Sequence, residues 1–173
     1  MLTEPKLENR NEIHYAAIRT QVGIPFGAVL PALWGAVFAW LADKGIAQAG
    51  APFIRYLTTD MARKLDLEVG IPVATPVPGD GRISAGVFPA GRYVVAVYNG
   101  PYEGLVSATA EFLDWAKQSH ILWQTTLIDD VEWWEGRAEF YITDPAGEPD
   151  PQKWQTELAF LVADKQNQMK SAV

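Results

Sequence analysis

The sequence predicts an α+β fold of two β-α-β-β halves, with antiparallel sheets, helices on one face and a ligand cleft at the junction. Three observations predict it. The order strand, helix, strand, strand occurs twice. Short words recur in step, IRYLTTD (54–60) beside FYITD (140–144) and LDLEVGIPV (65–73) beside WQTELAFLV (154–162). Between the copies lies TPVPGDGR (75–82), rich in Pro and Gly and poor in groups that pack.

Residues 1–10 read as a polar lead-in. Ile13 to Gln21 (IHYAAIRTQ) has the β-branched and aromatic character of a strand starting near Glu12. From Phe26 to Lys44, Leu30, Leu33, Trp34, Val37, Phe38 and Leu41 recur at steps of three and four; Pro31 suits a first turn and Gly45 a stop. Pro52 to Thr59 and Leu65 to Val73 then read as hairpin partners. In the second half, Gly86 to Asn99 reads as one strand and Tyr102 to Ser119 as a helix with Leu105, Ala108, Phe112, Trp115 and Ala116 on one stripe. Gly136 to Asp144 and Trp154 to Val162 form the closing hairpin around a loop from Pro145 to Pro151. The expected organisation is one domain over 1–173: half one at about 12–74, linker 75–82, half two at about 83–163 and a polar, frayed tail 164–173.

Composition narrows the function. A chain of 173 residues, 49% hydrophobic, buries a core without staples, and the lack of cysteine excludes disulfides, Cys-ligated zinc and thiol nucleophiles. The formal charge of −7 repels a phosphate backbone, so direct nucleic-acid binding is not expected, and neither is a helix-turn-helix. The first residues lack the apolar stretch of a signal peptide, and the long apolar run Ile24 to Ala42 is interrupted by Pro25 and Pro31, which points to a cytoplasmic protein away from membranes. His14 and His120 stand alone, so no metal and no cofactor is expected; the glycines at 79, 81 and 86 fit no nucleotide-binding loop, and Ser84 lies outside any nucleophile-elbow motif.

The candidate site follows from a break in the repeat. With Tyr56 laid over Tyr141, the residue two positions earlier is Ile54 in the first half and Glu139 in the second. Strand alternation puts Glu139, Tyr141 and Thr143 on one face. Glu157 lies on the partner strand, and two carboxylates meeting in an apolar cleft raise at least one pKa, which suits proton transfer. Its counterpart Glu68 shows that this position carries a carboxylate in both halves. The chain holds 20 aromatic residues, seven of them Trp, and Trp123, Trp133, Trp134 and Trp154 gather in the second half. Trp133 and Trp134 are the pocket candidates, because adjacent strand residues cannot both face one core, whereas Trp34, Trp40 and Trp115 sit in helical segments and read as core. Tyr56 and Tyr102 complete the candidate ligand-binding set.

GRYVVAVYNGPYEGL (91–105), EFYITDPAGEPDPQKWQTELAFLV (139–162) and the duplicated order of elements resemble the GyrI-like family, which also supplies ligand domains of AraC-type and MerR-type transcription activators. The resemblance covers about Glu12 to Val162. It implies a cleft between the halves and a carboxylate that recognises lipophilic cations, carried here by Glu139 and Glu157 with Tyr141. It leaves three functions open: binding of a hydrophobic or cationic aromatic molecule, addition of water to cyclopropane-bearing DNA-alkylating compounds with Glu139 and Tyr141 as catalytic residues, and a protein-binding role such as gyrase inhibition. The partners it implies are a small molecule and either a separate regulator or a second copy of the chain.

Overall fold

The computed structural model describes residues 1–60 and 62–164, so the expected polar tail falls, from 165 onward, outside the described residues. The strands are β1 (Lys6–Arg10), β2 (Ile13–Val22), β3 (Phe53–Tyr56), β4 (Leu65–Val73), β5 (Ser84–Phe88), β6 (Gly91–Asn99), β7 (Thr125–Ile128), β8 (Val131–Trp134), β9 (Arg137–Tyr141) and β10 (Gln155–Leu161); the α-helices are α1 (Leu30–Lys44) and α2 (Leu105–Gln118). Eight strands form one antiparallel sheet in the order β1-β6-β10-β9-β3-β4-β2-β5, and β7 and β8 form a separate hairpin.

The repeat is visible in that order. The second half contributes β6-β10-β9 and the first contributes β3-β4-β2, mirrored about the β3–β9 pair in which Ile54 faces Glu139. Each half also gives its leading strand to the other: β1, just ahead of β2, pairs with β6, and β5, just ahead of β6, pairs with β2. The polar lead-in is therefore a strand, and the single strand expected over Gly86 to Asn99 is two, broken at Pro89 and Ala90. Proline lacks the N–H that a continuous ladder needs.

Both exchanges constrain the shape. Only Asn11 and Glu12 separate β1 from β2, which lie near opposite ends of the strand order, and only Pro89 and Ala90 separate β5 from β6. Three peptide steps reach about 11 Å at most. The two ends of the sheet must therefore curl toward each other. Inside the curl, Tyr15, Phe53, Phe88 and Phe140 interlock, with ring centroids 4.8 Å apart for Tyr15–Phe53, 4.9 Å for Phe53–Phe88 and 5.5 Å for Phe88–Phe140.

The outer face carries both helices. α1 buries Leu30, Leu33, Val37 and Leu41 against Ile18, Ile54, Leu67 and Val69, and ends at Gly45, whose φ of 66° is the left-handed conformation glycine adopts without strain. Its first turn is a 3-10 turn at Gly27–Val29, so the α-helix begins four residues later than the periodicity predicts. α2 buries Leu105, Ala108, Phe112 and Ala116, with Phe112 over Val94, Leu158 and Phe160. The β7–β8 hairpin was not expected from the sequence; Asp129 and Asp130 turn it with positive φ at both positions, the geometry of a two-residue hairpin loop. No helix among the described residues is long and apolar enough to cross a membrane.

Gly70 shows how tightly the curl is packed. A Cβ there would sit 2.7 Å from the Ala16 carbonyl oxygen and 2.7 Å from Phe53 Cζ. Gly70→Ala should therefore destabilise the fold by about 1–3 kcal/mol, as overpacking does. A urea midpoint unchanged from wild type would mean that β2 and β4 are free to separate.

Candidate functional site

Glu139 lies on β9, the strand where the two halves meet, and its side chain points to the helix-bearing face in register with Ile54 on one side and Leu158 on the other. It is 8% exposed. Two phenols donate to the same carboxylate oxygen, Oε2: Tyr141 at 2.6 Å and Tyr56 at 3.0 Å. Tyr56 and Tyr141 are the residues that the repeat superimposes, so the duplication supplies both donors and the broken position supplies the acceptor. No ion pair within 4 Å joins Glu139 to a cation among the described residues; Arg137, two residues away on the same face, acts on it only through its field.

Electrostatics follows from this burial. Desolvation pushes the Glu139 carboxyl above its ordinary value, and the hydrogen bonds from Tyr141 and Tyr56, with the field of Arg137, offset only part of that rise. The same burial, reinforced by the Glu139 charge, holds the Tyr56 and Tyr141 hydroxyls well above the ordinary phenol range, so both remain donors at neutral pH. Burial also lowers the Arg137 pKa.

Aromatic rings close over the carboxylate. Trp34 from α1 meets Tyr141 edge-on at 5.1 Å, and its indole Nε1 donates to the Phe53 carbonyl at 3.2 Å. Tyr102, in the 3-10 turn that leads into α2, meets Tyr141 at 5.5 Å and Trp154 at 4.7 Å. Where the cleft was expected, rings from α1 and from the turn ahead of α2 thus pack over Glu139. A small cavity of about 10 Å³, room for one water, lies instead inside the curl by Arg10, Phe88, Tyr93 and Phe140.

The structure brings together Glu139, Tyr141, Tyr56 and Tyr102, and separates the others. Glu157 does not approach Glu139: it pairs with Phe140, one residue out of step, and so faces inward, where Arg10 Nη1 holds it at 2.8 Å. Adjacent positions on paired strands face opposite ways, which defeats the expected carboxylate pair. Glu68 sits inside the curl too, accepting from the Tyr15 hydroxyl, with Arg55 at 3.9 Å. Trp134 is buried beside Phe160 at the Arg137 end of the groove, while Trp133, next along β8, lies on the other face beneath Arg19 at 5.8 Å. Trp34, read from the sequence as core, packs against the core beneath α1 and also meets Tyr141, and Trp154 meets Tyr102 farther out. The sequence gathers Trp154 with the other tryptophans of the second half without placing it here, and helical spacing puts Trp34 on the buried stripe without telling what lies beside that stripe.

Comparison with known proteins places these features in context. The model of the GyrI-like small molecule binding domain matches residues 3–163. The C-terminal domain of EcmrR has the same fold, with a TM-score of 0.75 at 21% identity over 93% of this chain and 98% of that domain. In the EcmrR–DNA complex the likeness covers 57% of the EcmrR chain, so this chain spans a little over half of that protein. A hydrolase from Listeria innocua matches with a TM-score of 0.59 at 15% identity over 92% of each chain, and SAV2435 bound to tetraphenylphosphonium with 0.57 at 12% identity over 95% and 97%. At these identities the likeness establishes the fold. No curated protein matches the chain in sequence.

The raised carboxyl makes a test of stability. The folded chain keeps the Glu139 proton to higher pH than the unfolded chain, whose carboxyl titrates near 4.5, so between these two values the folded state binds more protons and stability falls as pH rises. Glu139→Gln removes that slope. The melting temperature of the variant relative to wild type should therefore climb as pH rises above the ordinary carboxylate range. Parallel curves would show that Glu139 is solvated like a surface carboxylate.

Proposed function

The chain belongs to the GyrI-like small-molecule-binding domain family, and on that premise we propose that it binds a hydrophobic, cationic aromatic molecule in the groove over Glu139. One observation carries the reading: a buried carboxylate, unmatched by any ion pair among the described residues, lies under Trp34, Tyr102 and Tyr141. A buried anion without a cation is costly, and a lipophilic cation supplies the missing charge while its apolar body replaces the rings' contacts with one another. Binding must move Trp34 and Tyr102 off Tyr141, because these rings occupy the space a ligand needs. SAV2435, of like fold, is seen with tetraphenylphosphonium, a molecule of this chemistry. EcmrR, whose C-terminal domain is alike, is seen on DNA; for this chain the simplest consequence of binding is sequestration, and a separate regulator or a second copy of the chain is the partner through which a ligand signal would pass.

Titration calorimetry with tetraphenylphosphonium tests this. Wild type should bind it saturably, and Glu139→Gln should weaken binding at least ~10-fold, as loss of one partner from a buried charge pair does, while a neutral triphenyl analogue binds both proteins alike. Equal affinity of the two proteins for the cation would remove Glu139 from the site.

The raised carboxyl supports a second reading, hydrolysis. A carboxylate whose proton affinity is increased by burial takes a proton from water, and the flanking phenols hold that water or a ligand carbonyl. Attack on a cyclopropane-bearing aromatic alkylating compound adds one water across the opened ring. Mass detection should then show a product heavier by one water that forms catalytically with wild type and not with Glu139→Gln; unchanged compound leaves binding as the function.

A further inference from the structure

Three side chains of the groove floor stand in line on β9: Tyr141, Glu139 and Arg137, with about 7 Å between successive positions on one face of a strand. The floor therefore has two charged stations. At the first, Glu139 is met by two phenols. At the second, the Arg137 guanidinium lies 4.6 Å from the ring centroids of Trp134 and Phe160 and 5.6 Å from that of Tyr56. Tyr56 thus touches both stations, donating to Glu139 and offering its ring to Arg137.

The second station is chemically incomplete. Arg137 forms no ion pair with a carboxylate among the described residues, and its Nε and the neighbouring Trp134 Nε1 are buried donors that no acceptor among the described residues meets. Aromatic faces compensate the charge of a guanidinium but accept none of its in-plane N–H bonds. Two buried donors at the same end of one groove call for an acceptor, and a guanidinium beside an indole N–H is suited to a carboxylate.

Resting on the cation-binding reading of this groove, we propose that its ligand is dipolar: an aromatic cation seated over Glu139 that carries a carboxylate about 7 Å away, received by Arg137 and Trp134. The charges agree with this. Glu139 and Arg137 are opposite in sign, so a zwitterion matches both stations, whereas a simple cation leaves Arg137 without a partner in a dry groove. Specificity within the family's broad class of lipophilic ligands is then set by Arg137, a residue that neither the repeat nor the carboxylate pattern singles out.

The test compares (4-carboxybutyl)triphenylphosphonium with its methyl ester, which has the same cation and body but a neutral arm, using calorimetry on the full chain. Wild type should favour the acid by about fivefold or more, the scale of a charge-assisted hydrogen bond. In Arg137→Gln the preference should vanish, so that acid and ester bind alike whatever their common affinity becomes. Arg137→Lys, which keeps the charge but not the planar fork, should retain part of the preference. If Arg137→Gln fails to fold, the comparison of acid and ester on wild type and on Arg137→Lys decides. Equal binding of acid and ester by wild type, or a preference that survives Arg137→Gln, overturns the dipolar ligand and leaves cation binding intact. Failure of both probes to bind removes the cation reading, and this inference with it.

Discussion

The pairing of β3 with β9 is the constraint on which the site depends. It joins the two copies of the repeat edge to edge, and its register sets Glu139 opposite Ile54, the residue that the repeat superimposes on it. At this junction the equivalent tyrosines of both halves, Tyr56 and Tyr141, reach the same oxygen. Duplication thus provides a symmetric pair of donors, and a single departure from symmetry provides what they donate to.

The curl holds that junction rigid. With β1 added to the second half and β5 to the first, neither half can move away without breaking pairing on a strand belonging to the other. The interlocked rings of Tyr15, Phe53, Phe88 and Phe140 fill the space that the curl encloses, so the sheet is packed on both faces. Admitting a ligand over Glu139 would therefore call for movement of Trp34 and Tyr102, which both meet Tyr141, and of Trp154, which meets Tyr102. Trp34 is carried by a full helix and tied to the Phe53 carbonyl, while Tyr102 sits in a three-residue turn ahead of α2. Of the two walls, the Tyr102 side is the one with fewer bonds to break.

Much of this was legible in the sequence, and the failures have identifiable causes. The repeat revealed the halves, both helices and the hairpins, and the asymmetry between Ile54 and Glu139 pointed to the carboxylate that the structure buries between two tyrosines. The same reasoning, applied to Glu157, treated two strands as if neighbouring residues shared a face; the register offsets them by one, which is enough to send a side chain to the other side of the sheet. The exchange of β1 and β5 was hidden because KLENR and SAGVF are short edge strands with little apolar patterning, held by the ladder of a partner distant in sequence. The hairpin from Thr125 to Trp134 did carry a signal, two short strand-like runs flanking Asp129 and Asp130, but Asp-Asp is a weaker turn marker than the glycine-containing pairs. Trp34 packs against the core as its periodicity predicts, and periodicity does not report that its ring also meets Tyr141 beside Glu139.

The two faces of the sheet also differ in how their buried polar groups are satisfied, and that difference locates function better than charge alone. Inside the curl the ionised groups are matched: Arg10 with Glu157, Arg19 with Asp66 through two hydrogen bonds, and Arg55 with Tyr15 and the carbonyls of Val87 and Glu135. One atom, Arg55 Nε, is left over there, on a guanidinium whose other nitrogens are bonded. Among the described residues, the buried polar atoms without a protein partner on the helix-bearing face are Arg137 Nε, Trp134 Nε1 and Thr156 Oγ1, the last directly across the ladder from Tyr141. A folded chain tolerates few such atoms, since each forfeits its hydration for nothing. Three of them lie on the face that carries Glu139, and it is this unmet bonding capacity, together with the buried carboxylate, that the proposed ligand would complete.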